Sequence, residues 1–523
     1  MQRLGSVLHK CANLSVWLYV AAVTVVMPFY FTEGYGYIGT DKGVFFRKAG
    51  FPLLVAAVVF GVLDGAGRLL VRRREKKKQL SVTDWFVMAY VAAVFLSYGC
   101  SVYGESTGLW GNDSWPMGLF THVCMAAAYF VLSRGFVGER IFYGVLLWVT
   151  TVVFGVGILN RFGIYPIEMA YANSSFISTV GNINWFCGYW SVVSWISVIL
   201  YWNQEGKGKR EKWAAVLYGT LAVISLALGI LQGSDSGILA LAAVLLALFC
   251  ASAENPARMK RVLELLLMVC GICMVSALLH VIFPGAMTYR SGALAVLTQW
   301  PVAWGLGVIC LGIYLAFRKW SAAGGFAAKV RRLYRRWALI LGACAFGSYI
   351  LLVVLNTLLP SGIPGLAETN LFTFDEDWGS MRGATWTAGL QVWTGQDLLH
   401  RLVGVGPDAM VHYIYSGSDG ELLQMVQEQF PGSRLFNAHG EWITNLANWG
   451  LFGMTAFAGI MISAFVRFWK AGKQAPMLYL FAICVLGYTV NNLFSFQTMM
   501  NLPFLFIMLG IGEAQLRTAL QAG

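Results

Sequence analysis

One histidine and three arginines in the C-terminal third have side chains suited to moving a group between oxygen atoms. His439 stands in the stretch FNAHGEWITNLANWGLFGM, residues 436–454, where a long apolar run begins. Imidazole titrates near neutral pH, so it can accept the proton of an attacking hydroxyl. Arg382, Arg401 and Arg434 precede this stretch. Guanidinium groups donate paired hydrogen bonds to phosphate oxygens, so these arginines indicate stabilisation of a phosphate leaving group.

Each of these side chains also has a simpler interpretation. The alternative for His439 is an interfacial imidazole that only hydrogen-bonds Glu441 or a backbone carbonyl. The alternative for Arg382 is a salt bridge to the acidic run at residues 375–377, and surface pairs of this kind are common and weak. That acidic run has two interpretations of its own. It either solvates a loop or supplies oxygen ligands to a divalent cation, and solvation is the preferred one.

Several other chemistries are not indicated. No phosphate-cradling GxxxxGK[ST] loop occurs, so ATP hydrolysis within this chain is not expected. The ten cysteines fall nearly all inside apolar runs, and no CxxC pair stands in a polar loop. Neither a zinc site nor a disulfide framework is therefore expected, and no cofactor. The net charge of +12 does not indicate nucleic acid, because the basic residues form short runs between apolar segments.

The composition determines what must position these residues. The chain has 523 residues, of which 58% are hydrophobic and only 12% charged, and its mean hydropathy is +0.64. A soluble domain carries about 25% charged residues, and no single core can enclose this much apolar surface. The sequence therefore predicts an all-α, polytopic membrane protein, whose apolar helices are solvated by the bilayer.

The apolar runs predict about 12 to 14 spans, each of about 20 residues. The first run is interpreted as a retained helix, since no convincing signal-peptide cleavage site follows it. The predicted spans lie near 14–32, 52–70, 83–100, 117–133, 141–160, 183–202, 214–232, 237–252, 262–284, 300–317, 338–358, 441–465, 477–491 and 502–514.

The basic residues predict the orientation of these spans. With the N-terminus in the cytoplasm, the basic runs near 72–78, 207–212, 258–261, 318–336 and 467–473 all become cytoplasmic. Only eight of the 37 lysines and arginines then lie outside: Lys42, Arg47, Lys48, Arg161, Arg290, Arg382, Arg401 and Arg434. The pattern predicts that both termini are cytoplasmic, and anionic lipid is a further expected contact of the basic runs.

One long polar segment interrupts this arrangement. It divides the chain into predicted spans at 1–358, a large external loop at 359–440, and the last spans at 441–523. Two amphipathic stretches, 382–400 and 421–430, indicate that the loop folds against the outer end of the bundle. Long loops of this kind are usually functional or disordered, and this one is not of low complexity.

The order of three motifs resembles one family. RGATW at 382–386 is followed by GVGPD at 404–408, and then by His439 with Asn448, Gly450 and Gly453. This order resembles the O-antigen ligase and O-antigen polymerase superfamily of bacterial envelope enzymes, which have an arginine-bearing helix, a G-x-G-P turn and a histidine in one large external loop. The resemblance covers roughly the C-terminal third of the chain, and the remainder resembles the family only in topology.

The resemblance implies a reaction and roles for residues. A glycan would pass from a polyprenyl diphosphate to an acceptor hydroxyl on a glycan, a lipid or the cell wall, with inversion and usually without a metal, at the outer face of the bacterial plasma membrane. His439 would be the base or would orient the acceptor, and Arg382 would bind the diphosphate. Further contacts are expected from two groups of residues: Arg401, Arg434 and Arg290 to the diphosphate, and Asp235 and Glu441 to the acceptor.

The sequence departs from the family at one turn. The family usually has Ser-Arg-Gly at the outer end of an earlier helix, and its arginine also binds phosphate. Here the corresponding turn is SDSG, residues 234–237, without an arginine. Arg290 and Arg161 are the candidates to replace it in space. Asp235 has the alternative of capping the next helix, since aspartate is favoured at helix N-termini.

The main alternative function is a lipid-linked glycan flippase or another transporter. Transporters place ionisable groups near the bilayer midplane and often show related halves. Few such groups occur in the predicted spans, and no internal repeat is visible, so the transferase is favoured. An acyltransferase and a sensor with an external binding loop are weaker alternatives.

Overall fold

The structure is a computed structural model. It describes residues 2–71, 79–103, 108–113, 115–205, 208–285, 287, 292–322, 328–359, 362–363, 366, 371–418 and 420–522.

Most of the described chain is helical, and it forms eighteen α-helices of six or more residues. In chain order they are α1 (Gly5–Phe29), α2 (Ile38–Gly67), α3 (Val82–Cys100), α4 (Leu119–Gly135), α5 (Glu139–Arg161), α6 (Ile183–Trp202), α7 (Lys209–Leu231), α8 (Asp235–Glu254), α9 (Pro256–Ile282), α10 (Gly292–Leu297), α11 (Trp300–Ser321), α12 (Val330–Leu358), α13 (Trp378–Thr394), α14 (Leu398–Val403), α15 (Gly420–Gln429), α16 (Glu441–Ala471), α17 (Leu478–Asn491) and α18 (Leu502–Ala522). One two-stranded antiparallel sheet joins β1 (Phe176–Ile177) to β2 (Gly181–Asn182), with Phe176 opposite Asn182.

The helices confirm the predicted all-α, multi-pass membrane architecture. Within the described residues, eleven are long and apolar enough to cross a membrane: α1–α3, α5–α9, α11, α12 and α16. Two shorter apolar helices, α4 and α17, and the C-terminal α18 coincide with the other three predicted spans. Each of the fourteen apolar runs is therefore a helix, as the hydropathy pattern predicts.

Local sequence explains where several helices begin. Ser81 accepts a hydrogen bond from the backbone N–H of Asp84, whose carboxylate accepts one in return, so a capping box starts α3. Asn255 caps α9, which has Pro256 at its first position, where a missing N–H has no cost.

The centre and the periphery of the bundle differ in their helices. In α6, 78% of the most apolar stretch is buried, whereas in α12 the share is 6%. Trp190, Trp195 and Trp202 of α6 are fully buried and pack among α7, α17 and α18. The apolar side chains of α12 face outward, as expected of a helix in contact with lipid.

The sequence predicted that Lys42 lies in an outer loop, but the structure places this residue in a helix. It belongs to α2, which starts at Ile38, and its side chain is only 1% exposed. Its ammonium group lies 2.8, 3.1 and 2.6 Å from the carbonyl oxygens of Met27, Pro28 and Tyr30, and 2.9 Å from that of Thr179. Lys42 therefore satisfies the carbonyls at the end of α1, where the helix dipole favours a cation.

An ion cluster of five side chains lies at the far end of α16. Arg134 and Arg517 both donate to the carboxylate of Asp84, at 2.9 and 2.6 Å. Glu513 accepts from Arg467 at 2.6 Å and pairs with Arg517 at 3.0 Å. Arg467 follows the start of α16 by seven turns, about 40 Å. The cluster is therefore at the opposite end of the bundle from the start of α16.

The segment 359–440 is more ordered than the word loop suggests. Its described part contains α13, α14 and α15, and a hydrophobic cluster that includes Val392, Met410 and Val426 joins α13 to α15. α15 coincides with the predicted stretch at 421–430, and the predicted stretch at 382–400 is helical except for a break at 395–397. The helix α13 ends at Thr394, and Asp397 caps a separate helix, α14, by accepting from the His400 N–H at 2.8 Å.

Candidate functional site

His439 lies in a strained turn just before α16. Its φ is +48°, a left-handed conformation that is uncommon for residues other than glycine. The Asn437 side chain accepts the His439 N–H at 3.0 Å, and Thr444 accepts the N–H of Ala438 at 3.0 Å, so the turn is held from both sides. The imidazole is partly buried, with its ring edge-on to Phe496 at 5.0 Å between centroids.

The imidazole of His439 is uncharged at neutral pH. Burial, and secondarily the positive charge of Arg382, lower its pKa from 6.5 to about 4. Within the described residues, neither ring nitrogen has a hydrogen-bond partner in the protein. A nitrogen lone pair is therefore available to a hydroxyl. An anion bound to Arg382 would offset the charge that lowers the pKa, and would make the imidazole a stronger base.

Arg382 is the residue at which α13 resumes helical geometry after a break near its start. The three residues before it, 379–381, all have φ between +60° and +68°. Its Nε donates to the Phe494 carbonyl at 3.0 Å and its Nη1 to the Gly379 carbonyl at 2.6 Å. These bonds fix the guanidinium, whose charge acts on His439. The structure thus brings Arg382 and His439, which are 57 positions apart, into one site.

The connection between α17 and α18 is the third part of the site, and sequence reasoning missed it. Besides the Phe494 carbonyl and the Phe496 ring, it supplies Asn492 and Gln497, which donate to Glu441. Phe494 also stacks on Trp386 of α13, at 5.5 Å and 20°. A signal was present in the sequence, because NNLFSFQTMMN at 491–501 is a polar interruption between two apolar runs, and most of its polar side chains are buried.

Glu441 is buried at the first position of α16. Its carboxylate accepts from Tyr488 at 2.9 Å, from Gln497 at 2.7 Å and from Asn492. These three donors use most of the hydrogen-bonding capacity of the carboxylate. Glu441 therefore holds the connection between α17 and α18 in place and has little capacity left to accept from an acceptor hydroxyl. An adjoining cavity of about 20 Å³, also lined by Asp408, has room for about one water molecule and none for a sugar.

Asp408, in the GVGPD motif, attaches the segment to the loop before α4. Its carboxylate accepts the Asn112 N–H at 2.7 Å, and its carbonyl accepts from the Asn112 side chain at 3.1 Å. Burial raises the pKa of this carboxyl from 3.8 to about 7, because hydrogen bonds offset only part of its desolvation. Asp408 therefore has a positioning role in this structure.

The GVGPD motif at 404–408 packs against α16 near Asn448 and Gly450. Gly450 has φ +63° and breaks α16, which frees the carbonyls of Ala447 and Asn448. The N–H groups of Val405 and Gly406 donate to these carbonyls at 3.1 and 3.0 Å. A Cβ on Gly404 would lie 2.2 Å from the Asn448 oxygen. The predicted turn at 404–407 is present, and it packs against α16 at the point where Gly450 breaks that helix.

Replacing Gly450 by alanine should undo this docking. The added Cβ would lie 2.4 Å from the Leu402 carbonyl, and the left-handed backbone adds about 1–3 kcal/mol of strain. We expect a clearly lower unfolding midpoint for the detergent-solubilised variant. The control is Gly155→Ala in α5, where an added Cβ meets no atom within 4 Å. Equal midpoints for the two variants would contradict this account of the break.

The other two described arginines lie elsewhere in the segment. Arg401 donates to the carbonyls of Gln396, at 2.9 Å, and Thr394, at the end of α13. That end is about 18 Å from Arg382 along the helix. Arg434 is exposed and lies over the Tyr415 ring at 5.5 Å. Neither contact is with the site of Arg382 and His439. Arg290 lies outside the described residues.

The SDSG turn borders the site, but its aspartate points elsewhere. Ser236 donates to Asn491, as does Cys187, which interacts electrostatically with Arg382. The N-cap of α8 is Ser234, not Asp235. The side chain of Asp235 is exposed and accepts the N–H of Ala293 at 3.1 Å.

Arg161, one of the two candidates to replace the missing arginine, does lie at this turn, but its side chain is buried. Its guanidinium donates to the carbonyl of Gln232 and, at 2.7 Å, to that of Ser174. The residue is only 1% exposed. Arg161 therefore supports the backbone of the turn and does not face a ligand.

The acidic run at 375–377 contacts the rest of the segment. Glu376 accepts from Gln429 through its side chain, and from the Ala384 N–H at 3.0 Å through its carbonyl. In the part of the chain that the structure describes, no three His, Cys, Asp or Glu side chains form a group suited to a metal ion.

Comparison of the chain with models of known protein families gives no match, and a search of curated proteins gives none either.

Proposed function

We propose that this chain is a glycosyltransferase of the O-antigen ligase or polymerase type. It moves a glycan from a polyprenyl diphosphate to an acceptor hydroxyl at the outer face of the bacterial plasma membrane. The observation that carries the proposal is the pairing of a fixed guanidinium, Arg382, with an uncharged imidazole, His439, at one end of a helix bundle. A cation and a proton acceptor are the two groups that this transfer needs.

The proposed reaction is a single displacement. The acceptor oxygen forms a bond to the anomeric carbon as the bond from that carbon to the diphosphate oxygen breaks. The hydroxyl proton passes to His439, and the leaving diphosphate carries its charge to Arg382. Attack on the face opposite the leaving group inverts the anomeric configuration. Burial and fixed backbone contacts favour Arg382 for this role, because its guanidinium needs no reorganisation as charge develops.

A cell lacking this chain should accumulate the lipid-linked glycan, and complementation with His439→Ala should not relieve that accumulation. The variant removes the proton acceptor but no hydrogen bond of the imidazole within the described residues, so it should insert and fold. Lipid extracts are analysed by mass spectrometry, and surface glycan is quantified on the same cells. His400→Ala is the control, because that imidazole pairs with Asp397 at 2.9 Å, outside the site.

The side on which the glycan accumulates separates the transferase from a flippase. A missing transferase leaves the lipid-linked glycan on the outer leaflet, where an added glycosidase or lectin reaches it in intact spheroplasts. A missing flippase leaves it inside and protected. Accumulation of protected glycan, or full complementation by His439→Ala, would overturn the proposal.

A further inference from the structure

A second, larger cleft lies at the opposite end of the bundle from His439. It has a volume of about 720 Å³ and runs between α1, α2, α4 and α18. Sites for small ligands typically have about 300–1,000 Å³, so the cleft has the size of a binding site. The proposed transfer reaction does not use it, since α16 places the two sites at opposite ends of the bundle.

Polarity changes along this cleft in the same direction on all four helices. One end has polar and charged side chains: His9, Asn13, Asp64, Arg134, Arg517 and Gln521. The other end has apolar ones: Val16, Val58, Val62, Ala127, Phe130 and Val131. The polar residues lie near the helix termini, and the apolar ones lie from about half a turn to two turns further into the spans. An occupant must therefore be an amphiphile, with its polar end at the helix termini.

The charges at the polar end favour an anionic headgroup. Arg134 and Arg517 share the single carboxylate of Asp84, and Glu513 is shared by Arg467 and Arg517. The ion cluster thus has three guanidinium groups and two carboxylates. Asp64, on the other wall, is paired with His9 at 3.1 Å. The side chains of Arg134 and Arg517 line the cleft and are 28% and 14% exposed, whereas the carboxylates of Asp84 and Glu513 are 0% and 1% exposed.

We propose that this cleft is a binding site for one anionic phospholipid. The phosphate lies against Arg134 and Arg517, and an acyl chain follows Val62, Phe130 and Val131. Guanidinium groups bind phosphate oxygens through paired donors, and the apolar wall replaces the lipid surroundings of the chain. The site would join α1 and α2 to α4 and α18, and so stabilise the bundle at the end away from His439.

Native mass spectrometry of the purified protein tests the proposal. Dioleoyl phosphatidylglycerol and dioleoyl phosphatidylcholine are titrated separately into the delipidated, detergent-solubilised chain. We expect one phosphatidylglycerol molecule per chain at concentrations where phosphatidylcholine leaves most of the protein lipid-free. Arg134→Gln should weaken phosphatidylglycerol binding roughly fivefold, the effect of one cationic side chain near an anionic headgroup. Arg517 keeps Asp84 paired in this variant, and Arg140→Gln, an exposed arginine outside the cleft, is its control.

A steric pair of variants tests the location. Val62→Trp fills the apolar part of the cleft and should abolish binding of the single lipid. Val59→Trp, one turn away on the same helix, leaves it unchanged, because Val59 is also exposed but does not line the cleft. Equal binding of the two lipids to the parent protein would overturn the proposal. So would indistinguishable lipid binding by Val62→Trp and Val59→Trp.

Discussion

Replacing Arg382 by alanine should reduce glycan transfer by roughly 10²–10³-fold, the usual cost of removing one fixed donor to a developing negative charge. The donor substrate is the lipid-linked glycan extracted from cells that lack the chain. Transfer is then measured with purified protein in proteoliposomes. The reason for the size of the effect is that Arg382 is held by two backbone carbonyls next to His439, so no neighbouring side chain can easily take its place.

The control for this experiment is Arg401→Ala. Arg401 is also a cation of the segment 359–440, but it caps carbonyls at the other end of α13. We expect little change in its transfer rate. Because Arg382 also supports the Phe494 carbonyl, the unfolding midpoint of each variant is measured in parallel. An Arg382→Ala protein that transfers at the parental rate, or an Arg401→Ala protein with the larger defect, would show that the diphosphate binds elsewhere.

Replacing Lys42 by methionine should leave little folded protein. Methionine fills a similar volume but donates no hydrogen bond, so the carbonyls of Met27, Pro28, Tyr30 and Thr179 lose their common donor. Each buried group left without a partner costs about 1–3 kcal/mol. Fluorescence-detected size-exclusion chromatography of a fusion with green fluorescent protein gives the yield and the unfolding midpoint.

Lys48→Met is the matched control. Lys48 lies two turns along the same helix and is exposed, so its substitution removes a charge without exposing a carbonyl. We expect a midpoint close to that of the parent protein. If both lysine variants unfold at the parental midpoint, the carbonyls at the end of α1 do not depend on Lys42.

The hydropathy pattern predicted the helices well because each span needs only a run of apolar residues. All fourteen predicted runs are helices, and the boundaries of α6 and α17 differ from the prediction by at most one residue. The turn at 404–407 was also predictable, because glycines with positive φ have few substitutes. Both kinds of prediction rest on local physics, in which neighbouring residues determine the outcome.

Pairings between distant parts of the chain were not predictable in this way. Lys42 looks like an outer-loop lysine, since nothing near it in sequence indicates four carbonyls, one of them at residue 179. The connection at 491–501 has no motif, and its role depends on Arg382 and Glu441, over 50 residues away. Arg401 and Arg434 could be chosen only by residue type, and their distance from His439 depends on how α13 and α14 fold.

The break in α16 also constrains how the chain enters the membrane. As an isolated helix leaving the translocon, α16 would have the bare carbonyls of Ala447 and Asn448 in a medium without donors. Their partners Val405 and Gly406 are synthesised about 40 residues earlier, and the Ser97 hydroxyl of α3 also donates to the Asn448 carbonyl, at 2.6 Å. Insertion of α16 and folding of the preceding segment should therefore be a single coupled step of biogenesis. In a series of ribosome-arrested chains of increasing length, residues near 405 should become protected from protease only in chains long enough for Asn448 to have left the ribosome.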